Sequence, residues 1–221
     1  MNTKERIIEL LESTGREGMG QLIAYLDESG FFEAPASSRF HGSYDGGLAD
    51  HSFRVYELLF EMAGHFKLDE KVGFGQMPIK IKPENLVIAG LLHDLCKIGA
   101  YQKTKAGDGW TNNKAKEIGH AKLSISRIKK FIELDKLEKM MIRYHMGLYG
   151  THEFQDKEGD PNGEYPLRGD HSQDDKLSKE ESKKRRYGNS LSNAYYHNPI
   201  CKIMSICDEL TVFEDKAKQE K

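Results

Sequence analysis

The stretch Leu91-Leu92-His93-Asp94-Leu95-Cys96-Lys97 places an adjacent histidine and aspartate at the end of an apolar run, with a lysine shortly after. The preceding residues repeat apolar side chains at helical spacing, and Pro83 stands where the first turn of a helix tolerates proline. The pattern predicts a helix from about residue 83 to 97, ending before Gly99. His93 and Asp94 then belong to a core helix, where a polar side chain needs a partner.

Polar residues recur on the inward side of other predicted helices, at His51, His120, His145 and Asp208. Burying an ionised aspartate or an unpaired histidine costs free energy, and for one lone histidine a hydrogen-bonded core residue is the ordinary explanation. For all six residues together, on five separate segments, a shared metal centre accounts for every one of them. Four imidazoles and two carboxylates suit one or two divalent transition-metal ions. We favour Fe or Mn, with Zn, Ni, Co and Mg as alternatives.

The composition narrows the class of protein. The chain has 221 residues and a formal net charge of −2, which favours a single domain and gives no global attraction to duplex nucleic acid or to membranes. Three cysteines without framework spacing argue against a disulfide scaffold. We find neither a signal peptide nor an apolar stretch long enough to span a membrane, and we therefore expect a cytoplasmic protein.

Helical periodicity dominates the chain, and it predicts an all-α fold. Besides the helix at 83–97, helices are predicted around residues 7–11, 22–26, 48–66, 119–132, 135–146 and 191–217. The tight-turn signal Asp108-Gly109 predicts a small hairpin or loop near 101–116, and the charged, glycine-bearing residues near 152–188 predict a mobile excursion. We expect one domain over 1–221, with N-terminal helices at 1–30, a metal-binding core at 31–150 and 188–217, and a charged insertion at 152–187.

The order of these candidate ligands resembles that of the HD-domain metal-dependent phosphohydrolases. Phe32 to Ser37, His41 and Gly46 to Ser52 resemble the opening of the HD module in bacterial 3′-to-5′ exoribonucleases. Gly119-His120 and Tyr144-His145-Met146-Gly147 are similar to motifs of small stand-alone HD proteins from bacteria and phages. The resemblance implies an all-α HD-domain bundle with a core of about five helices.

The resemblance also implies metal roles. In members with a single ion, four residues bind it, and they match His51, His93, Asp94 and Asp208. Members that also have the residues matching His120 and His145 often hold two ions, with the equivalent of Asp94 as a bridge. We therefore favour a dinuclear site. Some relatives carry a further histidine where this chain has Met146, so we do not expect a third ion.

Candidate catalytic and substrate-binding residues surround these ligands. We assign Asp94 and Lys97 catalytic roles, because an ammonium one turn after His93 can hold a phosphate or offset developing charge. The equally weighted alternative for Lys97 is a lysine that the helix C-terminus favours. His41, Arg54, Tyr101 and Trp110 are candidate substrate contacts. Plain structural roles remain open for them, and for Tyr101 and Trp110 the alternative is a cover over the core.

The predicted function is metal-dependent hydrolysis of a phosphomonoester or phosphodiester in a nucleotide-like substrate, through a metal-activated water. The alternatives are an HD-fold di-iron oxygenase and a non-catalytic module that binds a nucleotide. The expected partner is a small phosphorylated compound, with a nucleotide favoured and a short single-stranded nucleic acid as a further candidate. The basic run at 183–186 fits a solvated surface better than a phosphate-backbone contact. The sequence does not indicate an oligomeric state.

Overall fold

The computed structural model describes residues 1–65, 81–113, 120–147 and 191–219, with side chains of the last stretch described through residue 214. The described parts are mostly helical, with one two-stranded sheet, which confirms the all-α prediction. The helices are α1 (Thr3–Ser13), α2 (Met19–Glu28), α3 (Gly47–His65), α4 (Pro83–Leu92), α5 (His120–Ile128), α6 (Lys136–Tyr144), α7 (described over 191–197) and α8 (Pro199–Gln219).

The N-terminal helices form as their patterns predict. Asn2 caps α1 by accepting a hydrogen bond from the backbone N–H of Glu5, and the Glu5 side chain returns one to the backbone of Asn2. The apolar rows of α1 and α2 are fully buried in the common core, at Ile7, Leu11, Leu22 and Leu26. The positive φ of Gly30 (80°) follows the end of α2, where a left-handed residue favours glycine.

Helices α3 and α4 pack in close backbone contact at Gly90. A Cβ atom added at Gly90 would lie 2.9 Å from the Cα atom of Tyr56 on α3. Only glycine therefore permits this separation of the two helix axes without a backbone shift. The approach brings the segment that carries His51 beside the segment that carries His93.

Two helix ends differ from the predicted bounds. Helix α4 ends at Leu92, five residues before the predicted end, and a single 3-10 turn follows at Leu95–Lys97. The backbone of Asp94 (φ −101°, ψ 20°) leaves the helical region, so the α-helix does not continue through this residue. The long helix predicted over 191–217 is two helices, because Pro199 restricts the backbone of Asn198 and begins a new helix.

The predicted hairpin is present as strands β1 (Tyr101–Lys103) and β2 (Trp110–Asn112), paired antiparallel with Gln102 opposite Thr111. Asp45, in the loop before α3, accepts hydrogen bonds from Lys103 and, at 3.0 Å, from the indole Nε1–H of Trp110. The ammonium of Lys103 also lies over the Trp110 ring. The hairpin is therefore joined to the loop that precedes α3.

A buried polar cluster, which we call the structural cluster, joins the beginnings of α4 and α6 to the segment after α1. Each carboxylate oxygen of Glu138 accepts two hydrogen bonds, and the donors are Arg16, Asn85 and the backbone N–H of Asp135. Asn85 also donates to Asp135 at 2.7 Å. At the other end of these helices, the rings of His93 and His145, which directly follow α4 and α6, are 4.8 Å apart. Because the two helices meet both at their first turns and at their ends, they run parallel.

The described helices include none long and apolar enough to cross a membrane. The predicted insertion at 152–187 lies outside the described residues. The division of the chain into N-terminal helices, core and insertion stays a prediction.

Candidate metal centre

Three separate parts of the chain bring four predicted ligands together. His51 lies on α3, His93 and Asp94 directly follow α4, and Asp208 lies on α8. One ligand atom from each of the four lies within 4.8 Å of the others, so the group could hold a metal ion. The imidazole Nε2 of His51 is 3.1 Å from Asp208 Oδ1 and 3.5 Å from Asp94 Oδ2. The Nε2 atom of His93 is 3.4 Å from Asp94 Oδ2 and 3.7 Å from Asp208 Oδ1.

Backbone carbonyls orient two of the imidazoles. Nδ1 of His93 lies 2.9 Å from the carbonyl oxygen of Gly90, and Nδ1 of His145 lies 2.7 Å from that of Ile142. A carbonyl oxygen can only accept, so each Nδ1 carries a proton and donates it. In a neutral ring the lone pair is then on Nε2, which faces the carboxylates. This is the second hydrogen bond by which proteins orient a histidine that ligates a metal.

Thr211 does the same for His51 through a hydroxyl group. The Thr211 Oγ1–H donates to the carbonyl oxygen of Asp208 at 2.7 Å, and Oγ1 lies 3.1 Å from Nδ1 of His51. Because its only proton is used on the carbonyl, the hydroxyl accepts from Nδ1–H and leaves the lone pair of His51 on Nε2. Thr211 is 2% exposed. Helix α8 therefore supplies both Asp208 and the group that orients His51.

Several buried polar atoms in this region have no hydrogen-bond partner among the described residues. They are Nε2 of His51, His93 and His145, together with Oδ1 of Asp94. Buried polar atoms are normally hydrogen-bonded, and an unmade bond is costly. Lone pairs on nitrogen and oxygen that converge in this way fit a divalent transition-metal ion, which would satisfy them together.

The charges of the buried groups are strongly coupled. Burial opposes the charged form of His93, but Asp94 and Asp208 outweigh it and raise the His93 pKa to about 10. Burial likewise opposes the ionised form of Asp94, yet Lys97 and His93 hold the pKa of its carboxyl well below the usual range. The two carboxylates thus keep a positive charge between them, which is the environment that a bound cation needs.

Lys97 does not lie in the last turn of α4, where a lysine was the structural alternative to a catalytic role. It ends the 3-10 turn after α4, and its Nζ lies 2.6 Å from Asp94 Oδ2. Burial disfavours the Lys97 ammonium, but the nearby carboxylates of Asp94 and Asp208 raise its pKa above the ordinary value. Lys97 therefore remains charged beside the ligand cluster, at the wall of a cavity.

His145 approaches a different oxygen of Asp94 from His51 and His93, although its ring centroid is only 4.8 Å from that of His93. Nε2 of His145 is 3.7 Å from Asp94 Oδ1, whereas His51 and His93 approach Oδ2. His120 is the first residue of α5, and its Nδ1 lies 4.0 Å from Sγ of Cys96. Burial lowers the His120 pKa, which favours a neutral ring. His120, His145 and Asp94 line the same cavity.

The cavity has a volume of about 440 Å³ and reaches the ligand cluster from outside. Its lining residues are Ala36, Ser37, His41, Asp94, Lys97, Tyr101, His120, His145, Met146, Asp208, Glu209, Val212 and Phe213. Two predicted substrate contacts, His41 and Tyr101, are among them. The other two lie elsewhere. Arg54 makes two hydrogen bonds of 3.0 Å to the carboxylate of Glu214. Trp110, on the hairpin, donates a hydrogen bond to Asp45 in the loop before α3.

His41 packs directly on a candidate ligand. Its ring centroid is 5.0 Å from that of His51, and neither ring nitrogen has a hydrogen-bond partner among the described residues. Ser37 holds the backbone by donating to the carbonyl oxygen of His41 and accepting from the N–H of Phe40. Burial, Lys97 and His51 lower the His41 pKa to about 4, so the ring is neutral near pH 7.

Comparison with known proteins agrees with this arrangement. The HD domain model matches residues 48–210, which are most of the chain and include the candidate ligands. The chain belongs to the HD domain family. A curated relative, the dihydroneopterin 2′,3′-cyclic phosphate phosphodiesterase of Methanocaldococcus jannaschii, is 32% identical over 75 residues. That alignment covers 34% of this HD protein and only 27% of the relative. No solved structure matches the chain significantly.

Thr211, Glu209 and Phe213 lie at the HD site but were not among the predicted site residues. Thr211 follows Asp208 by three positions, so helical spacing already placed a hydroxyl beside a predicted ligand. Glu209 and Phe213 line the cavity and are one turn apart on α8. Only the direction in which α8 faces the cavity could distinguish them from ordinary surface residues, and the sequence does not give that direction.

Proposed function

We propose that this HD protein is a metal-dependent phosphohydrolase that cleaves an ester of a nucleotide-like phosphate. The observation that supports this most strongly is the convergence of three oriented imidazoles on the buried carboxylate of Asp94 and the partly buried carboxylate of Asp208, beside the charged ammonium of Lys97. Membership of the HD family supports the same reaction class. The relative's name supports a phosphodiester in particular, since that enzyme opens a 2′,3′-cyclic phosphate.

We propose two ion positions that share Asp94. His51, His93, Asp94 and Asp208 would hold one ion, and His120 and His145 would hold the other together with Asp94. The support is the distribution of distances, because His51 and His93 approach one oxygen of Asp94 and His145 approaches the other. Nitrogen-rich ligation with carboxylates suits Fe or Mn, and also Zn, Co or Ni.

When bound, divalent ions would activate a water molecule and bind phosphate oxygens as Lewis acids. The groups of the chain itself have separate tasks. The backbone carbonyls of Gly90 and Ile142 and the hydroxyl of Thr211 hold the imidazoles in orientation. Lys97 can donate hydrogen bonds to a phosphate oxygen while it offsets charge. His41 and Tyr101 stand at the cavity wall, where each can hydrogen-bond the substrate.

The test is turnover by purified protein loaded separately with Mn, Fe, Co, Ni or Zn. The panel contains nucleoside 2′,3′-cyclic monophosphates, 5′-nucleotides, short oligonucleotides and bis-p-nitrophenyl phosphate. We expect hydrolysis of at least one phosphate ester, and we expect Asp94→Asn and His93→Ala to lower kcat/KM by at least about 1000-fold, a loss of about 4 kcal/mol in transition-state stabilisation.

A matched control is His65→Ala, which removes an exposed histidine at the end of α3. This variant should keep the parent activity. Turnover that survives Asp94→Asn would show that a contaminant is responsible. Oxygen consumption by the iron-loaded protein, without hydrolysis of any ester on the panel, would instead identify the oxygenase alternative.

A further inference from the structure

The cavity above the ligand cluster has two chemically different sides. The polar side contains the imidazoles and carboxylates described above. The other side, which we call the apolar wall, consists of Ala36, Tyr101, Met146, Val212 and Phe213. Phe213 is 64% exposed, whereas Asp94 is 2% exposed, so the cavity passes from a buried polar end to an apolar mouth.

The order of residues along α8 explains why the cavity changes from polar to apolar toward its mouth. Val212 follows the candidate ligand Asp208 by four residues, and Phe213 follows Glu209 by four residues. Residues four apart lie on the same helix face, one turn above each other. Because Val212 and Phe213 both line the cavity one turn beyond Asp208 and Glu209, a substrate whose phosphorus lies near Asp208 can extend its organic part past Val212 to Phe213, where an aromatic base can stack.

The charges at the cavity oppose a polyphosphate. Among the described lining residues, Asp94, Asp208 and Glu209 are acidic and Lys97 is basic. The Lys97 ammonium is already 2.6 Å from Asp94, and the carboxylates of the ligand cluster would balance much of the charge of a bound ion. Glu209 is exposed and not part of the ligand cluster, so its carboxylate would repel each additional phosphate that approaches the mouth.

We propose that the cavity selects an ester of a single phosphate group with an aromatic base, with Phe213 as the stacking residue and Glu209 as the residue that rejects polyphosphates. This rests on the proposed function for the position of the phosphate. It adds a substrate class and two specificity-determining residues.

Binding and turnover are measured separately on the Mn²⁺-loaded full chain. The binding probes are AMP, ribose 5-phosphate and ATP, with free Mn²⁺ held constant because ATP itself binds the ion. AMP and ribose 5-phosphate differ only by the base, and AMP and ATP differ only by the added phosphates. We expect AMP to bind about tenfold more tightly than either of the other two, as measured by calorimetry.

Two variants assign the residues. Phe213→Ala should weaken AMP binding about tenfold and leave ribose 5-phosphate unchanged, because only the base stacks. Glu209→Lys should strengthen ATP binding about tenfold relative to AMP. The matched controls are Leu210→Ala, an exposed apolar residue of α8 that does not line the cavity, and Glu61→Gln, an exposed glutamate of α3. Both should behave as the parent protein.

Equal binding of AMP and ATP by the parent protein would overturn the proposal. So would a Phe213→Ala variant that loses AMP and ribose 5-phosphate alike, since that pattern indicates a displaced α8 and no stacking. Selective binding of AMP that responds to both variants supports the substrate class even if no ester is hydrolysed. That last pattern would count against the phosphohydrolase reaction alone, so the two proposals fail separately.

Discussion

Two buried polar clusters at opposite ends of the parallel helices α4 and α6 differ in how their atoms are satisfied. In the structural cluster, Glu138 is fully buried and each of its oxygens accepts two hydrogen bonds. In the ligand cluster of the candidate metal centre, the Nε2 atoms of His51, His93 and His145 have no such partner among the described residues. Saturated bonds contribute to folding, whereas converging unsatisfied atoms keep a place for a ligand.

The comparison predicts that each cluster can be damaged without the other. A substitution in the ligand cluster should mainly reduce the affinity for an ion. A substitution in the structural cluster should mainly reduce the free energy of unfolding. Both kinds of variant are compared by calorimetric titration with Mn²⁺ and by urea unfolding in the presence of EDTA.

The largest effect is expected for Asp208→Asn on ion binding. Removal of groups that only orient a ligand costs about 10- to 100-fold in affinity, so loss of a charged ligand should cost more than about 100-fold for Mn²⁺. The free energy of unfolding in EDTA should fall by only about 1 kcal/mol, because the Asp208 side chain is 15% exposed and Asp94 remains to offset the charge on His93. An unchanged Mn²⁺ affinity would remove Asp208 from the ligand set.

Glu138→Gln should have the opposite profile. The substitution keeps the shape of the side chain but leaves the partly buried guanidinium of Arg16 without its charge partner, which should cost about 3 kcal/mol of stability. The Mn²⁺ affinity of the folded variant should stay within about twofold of the parent value. A fall in affinity as large as that for Asp208→Asn would show that the two clusters are coupled through α4 and α6.

Thr211→Val removes a hydrogen bond that orients the candidate ligand His51 but keeps all the ligands themselves. The valine fills the same space but cannot accept from Nδ1–H of His51, so we expect Mn²⁺ affinity to fall about 10- to 100-fold. Thr211→Ser retains the hydroxyl and should keep most of the affinity. If both variants bind Mn²⁺ equally well, the orientation of His51 does not depend on Thr211.

Arg54→Ala should have the smallest effect. The ion pair between Arg54 and Glu214 joins α3 to α8 at a partly exposed position, and such pairs contribute about 0–1 kcal/mol. We expect a loss of stability within that range, with Mn²⁺ affinity and kcat/KM unchanged. A rise of about tenfold in KM would instead support the substrate contact that the sequence suggested for Arg54.

Local patterns predicted much of this architecture. The helical rows, the hairpin and the inward polar residues could be predicted because each depends on neighbours within a few positions. The hydrogen-bonded turn of the hairpin falls at 104–107, just before the Asp108-Gly109 signal. Even so, the break at Asn198-Pro199 was missed although its signal is local, because the apolar spacing continues across the proline.

Long-range partners were not readable. Arg16 and Glu138 are 122 positions apart, and nothing in either neighbourhood selects the other. Arg54 and Lys97 illustrate the same limit at the site. Both were one turn from a predicted ligand, but Lys97 approaches Asp94 because α4 ends early, while Arg54 turns to Glu214 across α8. Spacing along a helix predicts the helix face on which a residue lies. The residue that it contacts depends on how the helices pack.

The contact between Gly90 and Tyr56 has a consequence for the size of ion that the protein can accept. Because the two backbones are so close that a Cβ atom at Gly90 would lie 2.9 Å from the Tyr56 Cα, the spacing between His51 and His93 cannot adjust freely to the radius of a bound ion. Calcium needs bonds of about 2.3–2.6 Å to six or more oxygens. Transition ions bind nitrogen at about 2.0–2.1 Å. We therefore expect the site to bind calcium weakly, because the fixed spacing of the ligands suits shorter bonds and because most of its ligand atoms are nitrogen.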